Sequence, residues 1–155
     1  MKSIISKTFA LIAIAVSVLS FTPNFGGEGF EISLNGKVVL KQYNKELDVV
    51  KMLQLSAASP NDQLTIRYYH CGKVAKNRVV SIRDGQNKLL KEWRFKDVEI
   101  PFGEMTCKVQ ELLNLKKGSD QVLKLYYASS ELPEGRQLAT VSLTTGQDHA
   151  AVIKQ

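Results

Sequence analysis

Apolar and polar residues alternate along most of this chain. Phe30, Ile32 and Leu34 are separated by Glu31 and Ser33, and after Asn35-Gly36 a second run, residues 37–43, carries Val38, Val39 and Leu40. An Asn-Gly pair between two such runs predicts a hairpin, because both turn positions need a positive φ. The pattern over 49–56, with Val50, Met52, Leu53 and Leu55, is mixed and fits a bulged strand or a short buried helix. Ser59-Pro60-Asn61-Asp62 marks a loop over 56–62. Residues 64–71 then alternate cleanly. Leu64, Ile66, Tyr68 and His70 share the core side, and Thr65, Arg67, Tyr69 and Cys71 the other.

Residues 72–77 form a basic loop, and residues 78–84 a strand with Val80 and Ile82 on one face. Asp84-Gly85-Gln86-Asn87 turns the chain into a returning strand over 88–95, where Leu89, Trp93 and Phe95 share a face that Lys91 interrupts. Residues 98–102 add a short strand, and Pro101 inside it places it at an edge or a bulge. The one good helical pattern covers 106–117, with Val109, Leu112 and Leu113 at i, i+3 and i+4 and Gly118 at the stop. Strands follow over 122–129, striped by Leu123, Leu125 and Tyr127, and over 137–143, with residues 130–136 as a loop around Pro133 and Gly135.

Seven or eight short strands and one short helix predict an all-β domain, an antiparallel β-sandwich of immunoglobulin-like architecture. Trp93 lies between Cys71 and Cys107, as a Trp lies between two cysteines in antibody domains. Here the spacing is shorter and no Tyr stands two residues before Cys107, so the likeness is one of architecture, not of family.

The start of the chain changes the setting. Lys2 and Lys7 precede an apolar run from Phe9 to Leu19, and Val18-Leu19-Ser20 suits a signal peptidase. The run is shorter than the ~20 residues of a membrane span. The expected organisation is a signal peptide at 1–20, a flexible lead at 21–29, a single domain at 30–143 and a flexible tail at 144–155. The expected location is secreted or periplasmic, with no stable membrane span after cleavage. Cleavage removes Lys2 and Lys7 and no acid, so the net charge falls from +6 to +4. That is mild, and together with export it excludes a nucleic-acid partner.

Cys71 and Cys107 are the two cysteines, and an even pair in an exported chain is a disulfide candidate. Such a bridge stabilises by roughly 3–4 kcal/mol in the chain-entropy account. His70-Cys71 looks reactive, but neighbours on a strand point to opposite faces, so His70 is poorly placed to activate Cys71. His149 has too few companions for a metal site. No paired-carboxylate, phosphate-loop, nucleophile-elbow or zinc-helix motif occurs. Neither a catalytic residue, a cofactor nor a metal is expected.

The contact candidates are polar. Lys73, Lys76 and Arg78 crowd one loop, and Arg67 and Arg83 join them if their strands are neighbours. Each of the doublets Tyr68-Tyr69 and Tyr126-Tyr127 must turn one ring outward, and Tyr69 is the outward ring beside Arg67. The expected partner is an envelope protein or an acidic glycan; the oligomeric state is left open.

The chain resembles small secreted proteins of unknown function from Gram-negative bacteria. The resemblance rests on the signal segment, the 64–71 strand, the Asp84-Gly85-Gln86-Asn87-Lys88 turn and Met105-Thr106-Cys107-Lys108, covers most of the mature chain, and implies no activity. The expected function is a non-catalytic binding or structural module. The alternatives are an accessory subunit of an envelope complex and, third, a small envelope enzyme using Cys71 or His70.

Overall fold

The computed structural model describes residues 27–56, 61–115, 122–144 and 153–154. Among the described residues, ten strands run in chain order: β1 (Glu28–Leu34), β2 (Lys37–Tyr43), β3 (Lys51–Ser56), β4 (Gln63–His70), β5 (Val79–Arg83), β6 (Leu89–Arg94), β7 (Met105–Lys108), β8 (Leu123–Ser129), β9 (Leu132–Thr144) and β10 (Ile153–Lys154). A 3-10 turn (Asn44–Asp48) follows β2, and one short helix, α1 (Val109–Leu113), follows β7. The strands make a four-stranded sheet, β2-β1-β4-β7, and a six-stranded sheet, β10-β3-β9-β8-β5-β6.

The alternation read from the sequence decides which face of each strand is buried. In β4, Leu64, Ile66, Tyr68 and His70 are buried and the residues between them are not. In β8, Leu123, Leu125 and Tyr127 are buried. Both sheets contribute to one apolar cluster: Phe30, Ile32 and Ile66 from the first, for example, with Leu53, Ile82 and Leu125 from the second. The Tyr68 and Tyr127 rings stack across it with centroids 4.4 Å apart. Two sheets sharing one core fit a β-sandwich.

The first hairpin forms as the Asn-Gly pair requires: Asn35 has φ 50° and Gly36 φ 80°, and β1 pairs antiparallel with β2. The second hairpin pairs β5 with β6. Asp84 caps its turn, accepting from the Gln86 and Lys88 amides at 2.9 Å each.

Several expectations are corrected. One pair is parallel, β3 with β9, so the sandwich is not wholly antiparallel; the long stretch between the two strands supplies the crossover a parallel pair needs. Residues 98–102 form a bend followed by a turn, not a strand. Among the described residues the helix is confined to α1, because residues 105–108 join the sheet edge as β7 with Met105 and Cys107 inward; residues 116–117 of the expected helix lie outside the described residues. Pairing with β4 outweighs a weak local helical pattern in so short a segment. The loop expected over 130–136 is mostly strand: β9 starts at Leu132, and its pairing with β8 slips between Tyr127 and Ser129. β1 begins at Glu28, inside the stretch read as a lead, and β10 lies inside the stretch read as a tail. The expected signal peptide lies outside the described residues.

The disulfide is also corrected. Cys71 is a free, exposed thiol and Cys107 a free, buried one. Cys107 faces Leu64 across the β4–β7 pair, whereas Cys71 follows the opposite end of β4. Seven residues of strand separate those positions by roughly 23 Å, and a disulfide needs Cα atoms within about 7 Å.

Candidate functional site

The outward face of the four-stranded sheet carries two rows of side chains. Their order follows from register: Gly29 of β1 is opposite Tyr43 of β2 and Tyr69 of β4, and Glu31 is opposite Lys41 and Arg67. The first row is therefore aromatic. Tyr43 and Tyr69 meet at 5.8 Å between centroids, and Phe102 continues the row 5.9 Å from Tyr69. Gly29 lies under this row, where a Cβ would run into the Tyr43 ring; absence of a side chain lets the ring lie flat on the strand.

The second row alternates in charge, Lys41, Glu31, Arg67, Glu104. Lys41 Nζ lies 3.0 Å from Glu31 Oε1, Arg67 Nη1 lies 4.0 Å from Glu31 Oε2, and Arg67 Nη2 donates to Glu104 Oε1. Tyr43 Oη also donates to Glu31, at 2.9 Å, and Lys41 Nζ sits 5.0 Å from the Tyr43 ring centre. Burial opposes ionisation of Glu31, but hydrogen bonds from Lys41 and Tyr43 outweigh it and hold its pKa below the usual value. Burial and the neighbouring Glu31 push both Tyr43 and Tyr69 up to about 12, so both are neutral donors at physiological pH.

Residues 95–104 lie beside the Arg67 and Tyr69 part of these rows and form a groove there. Arg67, Tyr69, Val98, Ile100, Phe102 and Glu104 line about 500 Å³, within the usual range of ligand sites. Ile100 and Phe102 are half exposed, at 53% and 45%. The wall is fastened from below. Arg78, only 4% exposed, donates to the Gly103 carbonyl at 2.8 Å and the Lys96 carbonyl at 2.6 Å. The Asn77 amide donates to Asp97 at 2.8 Å, and the Phe95 amide to the Arg78 carbonyl at 3.0 Å.

The six contact residues expected from the sequence are thus divided. Arg67 and Tyr69 share the groove. Lys73 and Lys76 are exposed on the β4–β5 loop and do not line the groove. Arg78 is buried under the groove wall and serves the loop rather than a ligand. Arg83 belongs to the other sheet and covers Tyr126 at 4.7 Å. The expected meeting of Arg67 and Arg83 fails because β4 and β5 belong to different sheets. Sequence reasoning missed Glu31, Tyr43, Phe102 and Glu104. One clue was present: Val98, Ile100 and Phe102 alternate, yet Pro101 and Gly103 keep that run from entering a sheet interior.

A second polar cluster lies on the inner side of the same sheet, next in register to the aromatic row, where Glu28 is opposite His70. Tyr68 Oη donates to Glu28 at 2.5 Å, and Arg136 donates to the other Glu28 oxygen at 3.3 Å. His70 Nε2 is 2.9 Å from Tyr127 Oη and 3.4 Å from Ser129 Oγ. Burial lowers the His70 pKa, which keeps the ring neutral. His70 thus faces the core and Cys71 faces solvent, so the pair lacks the nucleophile–base geometry. Burial pushes the Cys107 thiol up to about 12, far from the thiolate that reaction requires. Among the described residues, no group of three or more His, Cys, Asp and Glu is placed to hold a metal ion. No known family model matches the chain, and no curated protein is significantly similar to it.

Proposed function

We propose that the protein is a non-catalytic binding module of immunoglobulin-like architecture, secreted or periplasmic, that holds its ligand in the groove on the outer face of the four-stranded sheet. The observation that carries this reading is the paired rows, aromatic rings on one line and ion-paired polar groups on the next, with a fastened loop that walls in their Arg67 and Tyr69 part. Aromatic faces supply contact area at little conformational cost, and polar groups held in place supply orientation. The resemblance to small secreted proteins of Gram-negative bacteria sits with the same reading.

Capture from envelope extracts tests it. Immobilised wild-type protein retains a ligand that Phe102→Ala, with an unchanged unfolding transition, retains poorly. A substrate turned over by the wild type, with loss of turnover in Cys71→Ala or His70→Gln alone, sinks the reading in favour of an enzyme. Recovery of the full-length chain from the cytosol opposes the proposed location.

A further inference from the structure

Resting on the reading that this groove is the binding site, we infer that its ligand is a neutral glycan. The charge row decides between ligand classes. Arg67 is bonded to Glu104 and faces Glu31, and Lys41 is bonded to Glu31. Of these, Arg67 and Glu104 line the groove, one cation and one anion bonded to each other, and Glu31 and Lys41 pair off beside it, so the groove has no net charge to offer an acidic ligand. The exposed Lys73 and Lys76 belong to another loop and do not reach into it.

The chemistry of a neutral sugar matches both rows. A pyranose ring has an apolar C–H face, which packs on Tyr69 and Phe102, and a rim of hydroxyls, each both donor and acceptor. Guanidinium and carboxylate groups held side by side give that rim donors and acceptors in alternation. A protein surface laid over the same row strips water from four charges and returns few hydrogen bonds, which is costly. Hydroxyls replace that water directly. The groove volume of about 500 Å³ suits a short stretch of saccharide.

The test uses the full mature chain on an array of neutral and acidic glycans. Hits are followed by calorimetric titration with cellohexaose, xylohexaose and mannohexaose, and with an oligogalacturonate and a heparin fragment as acidic counterparts. The expected result is binding of a neutral oligosaccharide that changes little between low and high salt and weakens about tenfold in Phe102→Ala, a loss of one stacking contact. Glu104→Gln leaves the Arg67 charge without its bonded anion and raises binding of the acidic probes relative to the neutral oligosaccharide; an unchanged ratio overturns the claim that the charge row selects the ligand. Phe102-dependent binding that is confined to acidic glycans, or to an envelope protein, overturns the neutral-glycan inference and leaves the binding groove standing. Absence of any ligand whose retention depends on Phe102 overturns both.

Discussion

Cys71 and Cys107 show how one residue type takes opposite roles by position. Cys71 ends a strand in a left-handed turn, with φ 51°, and faces water. Cys107 is 3% exposed and packs as a small apolar side chain. In the native protein, one thiol reacts rapidly with a colorimetric disulfide reagent and the second reacts only after unfolding; Cys71→Ser removes the rapid one. Native protein with no reactive thiol, and a mass two hydrogens lighter, restores the disulfide. His70 makes a pH prediction. Burial holds its folded pKa below 6.5, so the unfolded chain takes up a proton first as pH falls. The His70 contribution to stability is therefore complete above about 6.5 and is lost as pH drops from there toward the folded value. The urea midpoint of the wild type falls across this range more steeply than that of His70→Gln; equal slopes refute the assignment.

At the scale of elements, the groove wall at 95–104 depends on one buried cation. Arg78→Met leaves the Gly103 and Lys96 carbonyls without their donor. Charge-assisted bonds of this kind contribute about 1.5–3 kcal/mol each, so the variant loses on the order of 3 kcal/mol by chemical denaturation. Amide exchange quickens first within 95–104. A loss confined to β5 and β6 instead would show that Arg78 serves its own strand. Helix α1 makes a parallel case. Trp93 on β6 donates to Glu111 on α1 at 2.9 Å, and Lys91 reaches the same carboxylate at 3.3 Å. Glu111→Ala therefore costs about 1 kcal/mol. The strands β1, β2, β4, β5, β6 and β8 were legible because alternation is a local property. The shortened helix and the lengthened β9 were not, because each is decided by a partner strand remote in sequence. The groove was half legible for the same reason: Arg67 and Tyr69 share one strand and one face, while Glu31, Tyr43 and Glu104 reach them only through register and a packed loop.

Over the whole molecule, the two sheets act as one unit if they share one core. Tyr127 is fully buried, stacks on Tyr68 and bonds His70. Truncation of so large a buried ring costs roughly 3–5 kcal/mol. Tyr127→Ala unfolds in a single transition at lower denaturant, with amide protection lost equally from β4 and from β8. Loss from β8 alone would mean that the sheets are energetically separate. Tyr127→Phe keeps the stack and loses the His70 partner, and it falls between wild type and Tyr127→Ala.

The β-rich class, the main strands, the Asn35-Gly36 hairpin and the inward and outward faces of β4 and β8 are written in the order of residues along the chain. These follow from side-chain periodicity and turn chemistry, which act over a few residues. Which strands became neighbours was settled by the packing of the whole fold. That choice placed β4 and β5 in different sheets, kept the cysteines apart, turned Arg78 inward and assembled the aromatic and charged rows. Such pairings arise from burying a common core across long sequence separations, and no local pattern records them.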